Sequence, residues 1–414
     1  MPLLLLPLIL KKKSLFIPVF ILIFGLFYYQ SFQPDFILPL FEGEEVTVKG
    51  RVIEDDRDVI QVDKLNRKEI NEKIIIYTDG NLQYGQVVEL TGKPVLPDSE
   101  FKNYFLQDGI SAIFFDPEIR MLSQKRSPGY YIYSFRRELK TKISKGVDFP
   151  ESTIIKAILL GDRTRLPNRL QDKFSKVGVA HLLAVSGTHI VIIAGVITGV
   201  LSFLTFKWKT FLSLALLSLF VFMVGAPPSA IRAGFIGSFF IIAQKMERRA
   251  DSVRGLTFIA FLMVLINPHI LKNIGFQLSF LAALGITLFS QKIYIFLTAR
   301  KRRYKRGLLS DFNDLLTKFF RKVPEFISKT ISITLAAQIF TLPLVYYYFG
   351  NLPFIAPLSN LILAPLLPVV MIFGLISLFL SFFIPEFLAF SFTLVTVRII
   401  LFLIELFYQL CLLC

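Results

Sequence analysis

The stretch "HLLAVSGTHI", residues 181 to 190, sets His181, Ser186 and His189 inside a run otherwise apolar enough to span a membrane. Polar and ionisable groups are expensive in hydrocarbon, so at such depth they are read first as functional. Three chemistries use these residue types. A serine hydrolase would take Ser186 as nucleophile, His189 or His181 as base, and a third group to orient that base. Position 184 is Ala, where a G-x-S-G turn has Gly, and no acidic residue in a span plainly serves as the third member. A closed metal centre needs three or four ligands. The chain holds only His181, His189 and His269, widely spread, and Cys411 and Cys414 read as apolar fillers. No metal and no cofactor are expected. The third chemistry is the lining of a polar path. There Gly187 breaks a helix and Ser186 satisfies backbone groups freed by the break, which membranes tolerate only against protein or a watery cavity.

Similar punctuation recurs downstream. In "GAPPSAIRAG" the two prolines predict a helix capped by Ser229, with Arg232 in its first turn, where a cation opposes the helix dipole. "NIGFQLSF" places Gln277 and Ser279 at the head of a span, and "AAQIFTLPL" buries Gln338 ahead of Pro343. Asn360 stands among Pro353, Pro357, Pro365 and Pro368, too many prolines for one plain helix. A single such residue is satisfied by bonding to a neighbouring helix. Five such places in one bundle argue for a polar interior.

The elements that must position these residues follow from composition. Of 414 residues 54% are hydrophobic and only 18% charged, with a mean hydropathy of +0.61. Soluble domains carry about 25% charge, so this is a polytopic α-helical membrane protein. Runs of about 20 apolar residues mark spans. The first is residues 14–32; the rest are 177–206, 210–225, 229–245, 253–267, 274–298, 327–349, 354–384 with a break, and 387–410. Residues 42–120 instead show short β-rich runs separated by turn residues, which predicts a small β-barrel of OB type. Residues 131–176 read as amphipathic helices at the membrane surface. The chain therefore divides into an N-terminal span (1–33), a β domain (34–125), juxtamembrane helices (126–176) and a membrane domain (177–414).

The net charge of +16 is unevenly spread. Lys11 to Lys13 precede the first span, and Lys207 with Lys209, the 245–254 cluster and "ARKRRYKR" at 299–306 fall after alternate spans, as cytoplasmic segments require. Residues 42–120 hold 10 Lys and Arg against 17 Asp and Glu, a net −7. Residues 121–176 hold 13 against 5, a net +8 that includes Arg163 and Arg165. Positive charge outside serves either anionic lipid headgroups or a polyanion gathered at a pore mouth.

"AILLGDRTRLPNRLQDKFSKVGVAHLLAVSGTHI", "PPSAIRAG", "NPHILKNIGFQLSFLAALGI" and "AAQIFTLPLVYYYFGNLPFIAPLSNLILAPL" together resemble the competence domain of the ComEC family, over roughly residues 150 to 385. The β segment is similar to that family's extracytoplasmic OB-like domain. The resemblance implies a non-enzymatic channel in the cytoplasmic membrane that imports single-stranded DNA during natural transformation. Arg163, Arg165, His181, Ser186, Gly187, His189, Arg232, Gln277, Ser279, Gln338 and Asn360 would then line the substrate path. It also implies a DNA receptor outside and, since no P-loop occurs, a cytosolic ATPase or single-strand-binding protein. Many members continue into a metallo-β-lactamase-like domain. This chain reaches Cys414 soon after its last span without a histidine and aspartate cluster, so a separate nuclease is expected. The β domain departs in being acidic, whereas single-strand binding combines a basic groove with stacking aromatics, for which Tyr77, Tyr84, Tyr104, Phe114 and Phe115 are the candidates. The alternatives are a transporter of a smaller anionic solute on the same scaffold, and an intramembrane serine hydrolase.

The alternating basic clusters carry a topological expectation. Residues 34–176 lie outside and 299–322 inside, so alkaline phosphatase fused after residue 120 should be active and after residue 310 inactive. The reverse pattern would overturn the orientation.

Overall fold

The computed structural model describes residues 36–54, 58–66, 68–78, 82–96, 105, 109–246, 252–298, 325–350, 352–353 and 355–413. The expected first span, Tyr104, the 247–251 stretch and the basic run 299–306 lie outside these residues. The chain forms two compact units, one built on a sheet and one helical.

Seven strands make the sheet: β1 (Val46–Glu54), β2 (Val59–Leu65), β3 (Lys68–Tyr77), β4 (Gln86–Gly92), β5 (Pro94–Val95), β6 (Ile110–Phe115) and β7 (Glu118–Gln124). Their order is β5-β6-β3-β2-β1-β4-β7, antiparallel except for the β3–β6 pair. This is the expected small β domain, but its ladder is open, with β5 and β7 at the edges. Alternate β1 residues Val46, Val48 and Val52 point inward, as a period of two demands, onto Val62, Ile74, Ile76, Val88, Leu90 and Phe114. Gly50 is required where β1 shifts register on β2, because a Cβ there would collide with the Gln61 carbonyl. Buried Glu72 on β3 accepts the Leu38 amide at 3.3 Å and so ties down the turn that precedes β1.

The helices are α1 (Pro128–Gly146), α2 (Glu151–Leu160), α3 (Asn168–Lys176), α4 (Gly187–Val200), α5 (Phe206–Met223), α6 (Pro228–Met246), α7 (Ser252–Ile266), α8 (Ile274–Thr298), α9 (Glu325–Phe349), α10 (Ala356–Leu363), α11 (Leu366–Leu380), the short α12 (Glu386–Ala389) and α13 (Ser391–Leu413). Among the described residues, six stretches are long and apolar enough to cross a membrane: Ala180–Phe203, Phe206–Met223, Ile274–Thr298, Glu325–Phe349, Ala356–Leu380 and Ser391–Leu412. The chain is a multi-pass membrane protein. Its outward side chains fit a lipid solvent: Phe203, Phe222, Phe392 and Phe402 are all exposed.

Three local readings differ from expectation. Helix α2 is not amphipathic at a surface: Ile154, Ile155, Ile158, Leu159 and Leu160 are all buried, and it packs on α11 and α13. Gly161, left-handed at φ +71°, stops it by donating its N–H to the Ala157 carbonyl at 3.1 Å. Gln338 is half-buried rather than buried on α9, which runs through Pro343 to Phe349 as the 327–349 span requires. Pro365 interrupts Ala356–Leu380 only mildly, since Ala364 and Pro365 keep helical dihedrals.

Helix α3 does show the expected amphipathic pattern, burying only Phe174. Its Lys173 pairs with Glu405 of α13, and Lys173 and Lys176 flank the Tyr408 ring at 5.2 and 5.6 Å. Helices α8 and α9 meet through a glycine: a Cβ on Gly285 would collide with the Ala336 carbonyl. Small residues let backbones approach within a membrane. Gly285→Leu should therefore force α8 from α9. Overpacking costs about 1–3 kcal/mol, and more where the neighbour is backbone, so the variant should melt well below wild type in detergent. Unchanged melting would show that this contact does not hold the pair.

Candidate functional site

The site begins with a helix that starts late. From Val177 the chain makes one tight turn at Ala180–Leu182, then extends at Ser186, with φ −116° and ψ 175°, before α4 begins at Gly187. The amides of a helix's first turn have no acceptor within the helix. Here the third residue of α4 helps to fasten its own start: the Ser186 N–H donates to His189 Nδ1 at 3.2 Å. Ser186 Oγ lies 2.9 Å from the same nitrogen. Accepting the amide requires an unprotonated Nδ1, which assigns the proton to Nε2. That Nε2 is buried and has no partner among the described residues.

Helix α6 begins beside α4. Its first residue is Pro228, pre-set for a helix start. Ser229 is therefore not the cap that the sequence predicts. One residue inside the helix, its hydroxyl donates to the Val185 carbonyl at 2.7 Å and so holds the two starts together. Arg232, fifth in the helix rather than in its first turn, reaches back toward α4: a Cβ on Gly187 would lie 4.0 Å from Arg232 Nη2 and 3.9 Å from Ala233 Cβ. On its other side the guanidinium lies 5.6 Å from the centre of the Phe280 ring on α8. Arg232 makes no ion pair among the described residues, and its buried Nε is unpartnered. A buried donor left unmet costs about 1–3 kcal/mol, and more when charged. Apolar packing offers no reason to carry either.

Of the residues singled out in the sequence, Ser186, Gly187, His189 and Arg232 come together. Gln277 joins through α8: it lies one turn before Phe280 and accepts a hydrogen bond from the Tyr348 hydroxyl at 3.3 Å. Ser279 is half-buried on the same helix. His181 stands exposed in the preceding turn, and Arg163 and Arg165 are exposed in the loop between α2 and α3. Asn360 is buried on α10 with an unpartnered Oδ1, beside Ser359, whose hydroxyl donates to the Val177 carbonyl at 2.7 Å. Gln338 makes no hydrogen bond to the cluster among the described residues. His269 sits in the turn Pro268–Lys272, where its amide donates to Asn267 Oδ1. Among the described residues no three His, Cys, Asp or Glu side chains gather into a metal site.

The Ser186 and His189 pair has the distance of a nucleophile and base. Yet the Nδ1 lone pair already receives the Ser186 amide, and no carboxylate orients the ring among the described residues. Glu405, the acid the sequence reading passed over, is held by Lys173. Phe280 and Tyr348 were missed as well, because nothing local in sequence marks an aromatic as the neighbour of a distant arginine or glutamine.

In the β unit, Phe114 is core, while Tyr77 and Phe115 are exposed and stacked at 5.2 Å with planes 11° apart. Tyr84 stacks on Tyr133 of α1 at 4.3 Å.

Known proteins resemble the chain in this region. The family described as "Competence protein" matches residues 158–413, more than half the chain. ComE operon protein 3 of Bacillus subtilis is 24% identical over 298 residues, which cover 69% of this chain and 34% of that protein. An uncharacterized protein of Aquifex aeolicus is 27% identical over 280 residues, 67% of this chain and 57% of its own. One from Mycoplasma genitalium is 30% identical over 144 residues, 34% of this chain and 36% of its own. The chain thus spans between a third and three fifths of the length of these relatives. No solved structure matches it.

Gly187 faces Ala233 and Arg232 with room for one methyl group and no more. Gly187→Ala should leave transport near wild type, whereas Gly187→Leu should abolish it by displacing Arg232. Ser186→Ala leaves the Ser186 amide bond intact and removes one neutral hydrogen bond, worth about 0.5–1.5 kcal/mol, so its effect should be mild. Loss of all transport in Ser186→Ala at normal protein level would favour the nucleophile reading.

Proposed function

The chain belongs to the ComEC family of competence proteins, and from that premise we propose that it forms the channel through which single-stranded DNA crosses the cytoplasmic membrane during transformation. The observation that carries this reading is Arg232, a cation without a carboxylate partner among the described residues, set between the starts of two helices in a membrane bundle. Such a group needs an anion. A guanidinium stays charged and presents forked donors suited to phosphate. The first-turn amides of α4 add partial positive charge. A strand of phosphodiesters would find there the donors that replace its water, as channel linings do for permeating ions.

In this reading residues 34–125 lie outside as the β domain, 126–176 form the juxtamembrane helices, and 177–414 form the channel. Arg163 and Arg165 gather DNA, and Ser186, Gly187, His189, Arg232 and Gln277 pass it inward. Ser279, Gln338, Asn360 and His181 complete the polar lining. The chain performs no covalent step. A receptor outside delivers the DNA, a separate nuclease removes the other strand, and a cytosolic ATPase or single-strand-binding protein draws the imported strand in.

Hydrogen bonds to charged groups are worth about 1.5–3 kcal/mol, so removing Arg232 should slow passage on the order of 10- to 100-fold. Arg232→Ala should block uptake of labelled DNA while surface binding and protein level stay normal, and Arg232→Lys should restore it only in part. Full uptake in the alanine variant would remove Arg232 from the path. Saturable flux of a small anion in vesicles, indifferent to DNA, would favour the solute transporter instead.

A further inference from the structure

We propose that Phe280 is the positioning residue of Arg232: its ring holds the guanidinium beside Gly187 by cation–π attraction and, carrying no charge, leaves it free to meet the substrate's phosphates. The inference rests on the channel reading only for the identity of that anion. The contact itself rests on geometry.

Among the described residues the ring is the one group that the Arg232 side chain engages, with the guanidinium carbon 5.6 Å from the Phe280 centroid. Cations are drawn to an aromatic face within about 6 Å, most strongly where water is excluded. Other cations of the same unit also rest on rings. Lys142 lies 4.4 Å from the Phe382 ring and Lys173 lies 5.2 Å from Tyr408, yet each also meets a carboxylate, Glu386 and Glu405. A carboxylate takes the donors of the cation and cancels its charge. A ring attracts the cation and cancels none of it. A guanidinium that must be fixed in place and still answer an incoming anion needs the second kind of partner.

The ring is itself placed from two sides. Phe276, buried one turn earlier on α8, packs on it with centroids 4.4 Å apart and planes tilted by 36°. Gln277, in the same turn, accepts the Tyr348 hydroxyl at 3.3 Å and ties the head of α8 to the end of α9. Position passes in this way from α9 through α8 to Phe280, and from Phe280 to Arg232. It ends at Gly187, where a Cβ would stand 4.0 Å from Arg232 Nη2. Held so, Arg232 keeps its Nε shielded from solvent. Without the ring only a flexible stem places the charge, and such stems snorkel toward water.

Packing and attraction make different demands on position 280. Packing is served by any apolar side chain of similar volume, whereas attraction needs the negative face of the ring. Trifluorophenylalanine at this position keeps the shape and weakens that face, and Phe280→Leu removes it. In the full chain in detergent, with labelled arginine, the Arg232 Nε–H resonance is identified by its absence from Arg232→Lys. It should carry a ring-current shift and exchange slowly with water. Exchange should quicken in the order phenylalanine, trifluorophenylalanine, leucine, by about 2- to 30-fold from first to last, and the ring-current shift should vanish in Phe280→Leu. Uptake of labelled DNA should fall in the same order at normal protein level. Equal exchange in all three, or an Arg232 resonance without a ring-current shift, overturns the positioning role. Should the leucine variant fail to fold, the comparison with trifluorophenylalanine decides alone. Uptake that is blocked in Arg232→Ala but flat across the Phe280 series overturns the role and keeps the channel. Graded exchange with full uptake in every variant, Arg232→Ala included, keeps Phe280 as the holder of Arg232 and overturns the channel reading alone.

Discussion

Everything at the centre of the bundle depends on how a helix can begin inside a membrane. Water is not there to meet the first amides, so the chain must meet them itself. The bond from the Ser186 amide to the His189 ring does part of this with residues three apart. It also fixes which face of the imidazole is left over. The hydroxyl of Ser229, bonded to the Val185 carbonyl, ties the second helix start to the first. Arg232 is then delivered by α6 to the first residue of α4, a glycine. Remove the late start of α4 and none of these donors has a reason to converge.

Much of this could be read in advance, for identifiable reasons. Spans are legible because hydrocarbon thickness imposes a length and a composition, and α5, α8, α9 and α13 fall within a few residues of the apolar runs that predict them. The break at Gly187 was legible because a serine and a glycine in an apolar run have few other uses. The start of α6 was misplaced by two residues: Ser229 has the right chemistry for a cap, but Pro228 occupies the first helical position better. Helix α2 was misread for a different reason. Glu151 and Lys156 give ten residues a polar edge, and α11 and α13, more than 200 residues later, pack on the rest. Phe280 under Arg232 and Tyr348 on Gln277 belong to the same class, contacts that no local pattern announces.

The bundle uses charge in two opposed ways. Lys173 with Glu405, Lys142 with Glu386 and Arg398 with Glu151 are cations answered by carboxylates, and each links α13 or the short α12 before it to a helix at the beginning of the unit. Those pairs contribute position more than stability, because charges withdrawn from water recover little beyond what they lose. Arg232 has no such answer among the described residues. The contrast lies within one unit and one solvent, so it belongs to the sites and not to their surroundings.

The depth at which α2 is packed has a consequence for biosynthesis. Its neighbours on α11 and α13 are made much later: the bond between Glu151 and Arg398 spans 247 positions. A ribosome has therefore added more than 200 residues before this helix can find its place. Until then Ile154, Ile155, Ile158 and Leu159 have nothing to cover them, and the nascent protein carries an apolar segment that is too short to stay in the bilayer by itself. Assembly of this helix must wait for α11 and α13, and a ribosome that stalls before them leaves a product exposed to proteolysis at that uncovered segment.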